Sequence, residues 1–217
     1  HAENLLADTE IVKPNQVWVS DITYLRSEKE RFLYLFLVTD AFSRRIMGWH
    51  LAPSLQAEGA LAALNQAIAL ADGKVEGLIH HSDRGVQYTC LDYLLRLQEV
   101  GARPSMGTTG NCYENALAER VNGTLKVEYC LEDGFVDYAQ AWKAVSQVVV
   151  LYNDDRPHLA LDYLTPTQVY LRHLHSPVAP TQIDSSSAHD PLLPALVEQA
   201  SKQAGGARVN NVKACVP

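Results

Sequence analysis

Three strand-like segments stand in direct succession near the start of this chain, and they constrain its fold more than any other feature. Val17 to Leu25 is rich in β-branched and aromatic residues, Phe32 to Thr39 is a continuous apolar run, and Arg45 to Leu51 is the third. The links Arg26–Arg31 and Asp40–Arg44 are of hairpin length. Parallel neighbours need a crossover of about a dozen residues or more, so these three strands must run antiparallel. The period then changes. Leu55 to Ala71 carries Ala57, Leu61, Leu64 and Ile68 on one helical stripe, and Asp72-Gly73 ends it. Val75 to His80 reads as a short buried strand, Leu91 to Val100 as a helix closed by Gly101, and Arg103 to Met106 as a last strand. After the glycine loop Gly107–Gly110, helices are expected from about Tyr113 to Cys130 and from Tyr138 to Tyr152. Thr165-Pro-Thr-Gln168 has the form of a capped helix start.

The order predicts an α/β fold: a mixed five-stranded sheet, three antiparallel strands and then parallel ones, flanked by helices and followed by a C-terminal helical extension. Residues 1–14 read as an irregular N-terminal segment, 15–175 as the core with its C-terminal helices, and the Ser-, Ala- and Pro-rich stretch 176–217 as a flexible tail. No apolar run approaches the roughly 18 residues of a membrane span, and Glu3, Asp8 and Glu10 make the start acidic rather than signal-like. A cytoplasmic protein without membrane contact is expected. Cys90, Cys112, Cys130 and Cys215 form no C-x-x-C pair, which predicts reduced, buried thiols and no structural zinc.

Three acidic residues stand out. Asp21 lies inside the first strand between Val19 and Ile22, where Asp is disfavoured and where its charge needs a partner. Asp83 follows a buried strand, at the kind of strand end where ligands gather in α/β sheets, although taken alone a turn-forming Asp accounts for it better. Glu119 shares one helix face with Asn115, Asn122 and Lys126, opposite a stripe that includes Leu117, Val121 and Leu125. Alone, that face is an ordinary solvated one. Together, two strand carboxylates and one helix carboxylate suit hard divalent cations, which take carboxylate oxygens and keep room for water and phosphate. A pair of such ions serves phosphoryl transfer.

Several stretches resemble the integrase core of bacterial insertion-sequence transposases of the IS-three type, relatives of the retroviral integrases. They are Trp18-Val-Ser-Asp21-Ile-Thr-Tyr24, Asp40-Ala-Phe-Ser-Arg44 with Gly48-Trp49, His81-Ser-Asp83-Arg-Gly-Val-Gln-Tyr88, Gly110-Asn-Cys-Tyr-Glu-Asn-Ala116, and Tyr152-Asn with Arg156-Pro-His158. Residues 84 to 118, 35 positions, separate Asp83 from Glu119, the interval typical of that family. The resemblance implies an RNase H-like fold, with Asp21, Asp83 and Glu119 as catalytic metal ligands for two magnesium or manganese ions. It implies a DDE-type polynucleotidyl transferase that hydrolyses DNA at element ends and joins the freed 3′ hydroxyl to another phosphodiester. Transposon ends and target DNA would be its partners, with a homo-oligomer on DNA and nucleoid association when active. Lys126, Asn115, Asn122, Arg84 and Arg156 become candidate DNA contacts, although for Arg156 and His158 the preferred role is to pin the C-terminal helices. Asp40 is explained as a turn cap beside Ser43.

Glu114 stands where that family has Asp, and the loop Gly107–Gly110 lacks its basic residues. The formal charge is −7, and between Lys13 and His175 15 Lys and Arg face 19 Asp and Glu. DNA affinity needs cations against phosphate, so end recognition is expected to reside in an upstream helix-turn-helix region. Two other functions fit the fold: an RNase H-like nuclease without joining activity, and a non-catalytic DNA-binding descendant.

Overall fold

The longest strand, β1 (Val17–Ser27), lies at the centre of a five-stranded sheet of order β3-β2-β1-β4-β5. This is a computed structural model that describes residues 4–6, 9–107 and 116–175, all within the unit His1–Ser176. The expected tail at 176–217 lies outside the described residues. Strand β2 (Arg31–Asp40) pairs antiparallel with β1 and with β3 (Ile46–Ala52), as the short links require. Strand β4 (Ile79–Ser82) pairs parallel with β1 and with β5 (Arg103–Met106). The connections into both are helical: α1 (Ala57–Leu70) precedes β4, and α2 (Val86–Thr89) with α3 (Leu91–Glu99) precedes β5.

Alternation along β1 divides the core between the two sheet faces. Trp18 points to one face, where Phe36, Val38 and Met47 pack with Ala60, Ala63, Leu64 and Ala67 of α1 and Leu97 of α3. Val17, Val19 and Leu25 point to the other. There the sheet is covered by α4 (Ala116–Val127) and α5 (Tyr138–Val150), through Val121, Leu125, Val145 and Val148. Gly48 lets α1 approach β3 closely: a Cβ at that position would lie 2.0 Å from the Ala63 carbonyl oxygen. The N-terminal segment is irregular yet not loose, because Leu5, Leu6 and Ile11 pack on Val17, Val19, Ile79 and Ala118.

After α5 the chain continues as a π-helical turn (Leu151–Asp155), closed by the Arg156 N–H donating to the Leu151 carbonyl at 2.9 Å. A 3-10 turn (Leu159–Leu161) and α6 (Pro166–His175) come next. The start of α6 is the expected reciprocal cap. The Gln168 N–H donates to Thr165 Oγ1 at 3.2 Å, while Thr165 N–H donates to Gln168 Oε1 at 3.0 Å.

Three expectations need correction. Strand β4 starts four residues later than predicted, since Val75 and Leu78 are buried in a turn built around Gly77 at φ 74. Apolar burial does not distinguish a turn from a strand. The single helical turn α2 was unforeseen, because four residues leave no periodic stripe. Finally, Cys130 is disulfide-bonded rather than reduced, a pairing that depends on tertiary proximity and leaves no trace in sequence spacing. Cys90 is a free thiol, half-buried. No helix among the described residues is long and apolar enough to cross a membrane.

Candidate active site

The parallel register of β1 and β4 brings two of the three carboxylates together. Ser20 lies opposite Ser82, the last pair of that register; Asp21 and Asp83 are the next residues of the two chains, and the Asp83 charge acts on Asp21. Strand β4 ends there, whereas β1 continues to Ser27 with β2 on its other side. The two carboxylates therefore lie at the carboxyl end of β4, the usual position of a ligand site in such sheets. Asp21 lies opposite Leu37, on the face covered by α4. From that helix Asn122 Nδ2 donates to Asp21 Oδ2 at 2.6 Å. Glu119 lies one turn earlier on the same helix face. Asp83 Oδ1 accepts from the Gly85 N–H at 2.9 Å, the turn geometry that its sequence context allowed.

The electrostatics of this group are unbalanced. The Asp21 carboxyl is pushed up from 3.8 to about 6, foremost by burial, and Asp83 and Glu119 raise it further, against hydrogen bonds from the Ile22 N–H and Asn122. Among the described residues no ion pair reaches any of the three. Three neighbouring acids without a cation are a donor set for a hard divalent ion, and in charge and chemistry they fit one. Their arrangement is open. Among the described residues no three acidic, His or Cys side chains are gathered closely enough to hold an ion as they stand. The two observations agree, since charges interact over several ångströms whereas an ion needs ligand oxygens within about 2.0–2.6 Å. The hydrogen bond to Asn122 holds one Asp21 oxygen on the helix side.

The other candidates are dispersed around these carboxylates. Asn122, expected as a DNA contact, is buried and acts on Asp21; its i+3 spacing from Glu119 was the signal for that. Lys126 Nζ lies 4.5 Å from the ring centre of Tyr24, three residues along β1 from Asp21. Arg84 Nε donates to the Gly107 carbonyl at 3.0 Å and ties the loop after β4 to the end of β5. Arg156 makes a two-pronged pair with Glu128, at 2.7 and 2.6 Å. Asn115 lies outside the described residues. Asp40 is the turn cap anticipated, accepting from Ser43 N–H and Oγ at 2.8 and 2.6 Å and from the Asn15 N–H at 2.8 Å.

On β1 and β4, beside these carboxylates, lies a polar core that the sequence concealed. His80 Nε2 is within 2.8 Å of Ser20 Oγ and 3.0 Å of the Tyr93 hydroxyl, all three buried. Burial depresses the His80 imidazole to about 3, with His81 adding to the effect, so it is neutral at ordinary pH and serves as a hydrogen-bond hub.

Residues 12–112 match an integrase core domain family, and residues 100–166 match a second family of the same description. The chain is 39% identical over 139 residues to a putative transposase for insertion sequence element IS986/IS6110 of Mycobacterium tuberculosis, covering 62% of this chain and 48% of that protein. It is 37% identical over 175 residues to transposase InsF for insertion sequence IS3A of Escherichia coli K12, covering 80% of this chain and 60% of the relative. The chain thus spans about half to three fifths of such relatives. Among solved structures, the HTLV-2 integrase catalytic core domain in complex with magnesium matches with a TM-score of 0.59 at 19% identity, over 74% of this chain and 99% of that one. A simian T-cell lymphotropic virus intasome matches with a TM-score of 0.63 at 19% identity, over 88% and 63%. The likeness is one of fold, the RNase H-like sheet and helices of retroviral integrase cores.

Proposed function

This chain belongs to the integrase core domain family, and from that premise we propose that it is the catalytic core of a DNA transposase, cutting element ends and joining the freed 3′ hydroxyl to target DNA. The observation that carries the proposal is the uncompensated carboxylate group: Asp21, half-buried and raised to about 6, beside Asp83 and Glu119, with no cationic side chain paired to them among the described residues.

In this reading Asp21, Asp83 and Glu119 would hold a pair of magnesium or manganese ions. Such ions, when bound, activate the attacking oxygen and stabilise the leaving one in in-line phosphoryl transfer. The protein's own groups supply position. Asn122 steers the Asp21 carboxylate through the 2.6 Å hydrogen bond and ties its orientation to α4, which also bears Glu119. Buried Val19 and the packing of Ala118 and Leu117 fix the height of α4 above β1. Lys126 stands on the same helix face, where its ammonium can meet a phosphate of the bound strand. Arg84 holds the loop after Asp83, and it and Asn115 are further DNA contacts in this scheme. Pairing two element ends calls for at least two copies of the chain on DNA.

The test is a strand-transfer assay on element-end duplexes with magnesium or manganese. Asp21→Asn, Asp83→Asn and Glu119→Gln are each expected to abolish cleavage and joining. Activity surviving all three changes sinks the mechanism, and wild-type cleavage without joining makes the chain a nuclease.

A further inference from the structure

Across α4 from the carboxylates, a cavity of about 670 Å³ opens between that helix, the β2–β3 turn and the chain beyond the π-helical turn. Arg120, Thr124 and Glu128 line it at four-residue intervals, whereas Glu119, Asn122 and Lys126 lie on the other side of the helix. Arg44 enters from the β2–β3 turn, its backbone in the left-handed region at φ 66 and its N–H donating to the Asp40 carbonyl at 2.9 Å. Arg156 and His158 close the far wall. A chain with a formal charge of −7 therefore gathers three arginines around one cavity, against one lining acid, Glu128, among the described residues.

The arrangement lacks an anion. Glu128 is engaged by Arg156 in the two-pronged pair, and among the described residues neither Arg44 nor Arg120 forms an ion pair. Arg44 is half-buried, and its guanidinium is held below the usual range, first by burial and also by repulsion from Arg120, against the opposing influence of Tyr152 and Asp40. His158 Nε2 is buried without a hydrogen-bond partner among the described residues, and burial with Arg156 nearby depresses the ring to about 4. A neutral imidazole there can still donate one N–H. Two guanidiniums, a hydroxyl and an imidazole make a site for a tetrahedral oxyanion, which guanidinium forks recognise in two-pronged fashion.

We propose that this cavity receives a DNA backbone phosphate remote from the reacting one, with Arg44 and Arg120 as its principal ligands and Thr124 and His158 as neutral donors. The inference rests on the reading that this chain acts on DNA, and it accounts for how an acidic core holds a polyanion. Its centre lies about one helix diameter, roughly 10 Å, from the carboxylates. That distance corresponds to about three base steps along the duplex axis. The contact therefore positions DNA rather than taking part in the chemistry.

The experiment is fluorescence-anisotropy titration of a labelled duplex onto the 217-residue chain in calcium, over a series of salt concentrations. Arg44→Gln and Arg120→Gln are each expected to weaken binding and to lower the slope of log affinity against log salt by about one. Lys143→Gln, a change at an exposed α5 residue outside the cavity, controls for general loss of charge, and thermal unfolding verifies that each variant is folded. Unchanged slopes in both arginine variants, an equal loss in Lys143→Gln, or absence of wild-type DNA binding each overturns the proposal. Wild-type strand transfer with unaltered arginine slopes removes the cavity site alone. Arginine-dependent binding by a chain without strand transfer removes the catalytic reading alone.

Discussion

Replacing Asp21 by Asn should make the metal-free protein more stable at neutral pH, against the usual expectation for a half-buried, hydrogen-bonded residue in a β-strand. The Asp21 carboxyl titrates at about 6 in the folded chain against 3.8 ordinarily, and each tenfold in such an equilibrium is worth about 1.4 kcal/mol. The folded state binds this proton more tightly than the unfolded one. Stability is therefore unaffected below about pH 3.8 and falls as pH rises through the interval to about 6. Above that the folded state carries a constant penalty of about 3 kcal/mol. Asn removes the charge and keeps an oxygen to accept from Asn122, but it adds an amide that needs its own acceptor, a loss of about 1 kcal/mol. The net gain is about 2 kcal/mol, or about 4–8 °C in Tm for a domain of this size. Denaturation of both proteins at pH 7 and pH 3.5, with and without magnesium, measures it. The Asn variant should be the more stable at pH 7 only, and magnesium should raise the Tm of the wild type more than that of the variant. A loss of stability at pH 7, or an equal gain at both pH values, would refute the reasoning.

The packing of α1 and the hydrogen bond at the site give two further expected outcomes. Gly48→Ala should destabilise the fold by about 3 kcal/mol or more, because the new Cβ would lie 2.0 Å from the Ala63 carbonyl oxygen and 2.8 Å from the Ala67 nitrogen, backbone atoms that yield only if α1 moves away from β3; urea denaturation reads the loss. Asn122→Ala should weaken metal affinity about 10–100-fold, visible as a higher magnesium requirement for strand transfer, with restoration by higher magnesium separating a positioning role from a collapsed helix.

The legible part of the fold was the part governed by local period and link length. The antiparallel order of β1 to β3 came from loops too short for a crossover, and β5 was found at its observed limits because Gly101 closes the helix before it. Strand β4 was misplaced because its polar half, His80-His81-Ser82, is sustained by tertiary partners: Ser20 and Tyr93 for one ring, Ser105 for the other. At the site, Asp21 was conspicuous as an acid within a strand, whereas Asp83 became significant only through the register that sets it beside Asp21. The basic cavity was invisible in the sequence. Arg44, Arg120 and Arg156 come from three separate elements, and the charge of the whole chain argued against any such gathering.

The π-helical turn has a consequence for how this chain can change in length. Five residues there occupy a winding wider than an α-helix, the geometry of a single added residue accommodated without breaking the helix. Asn153, within it, donates to and accepts from the Ile46 backbone at 3.0 and 2.9 Å, and Arg156, just after it, reaches Glu128. Deleting Leu151 or Tyr152 would restore ordinary winding and rotate the chain beyond it by about 100°. Asn153 would leave β3 and Arg156 would leave α4 without a single substitution. Surface loops absorb insertions and deletions readily, but this segment counts its residues, and its length is as much a part of the fold as its side chains.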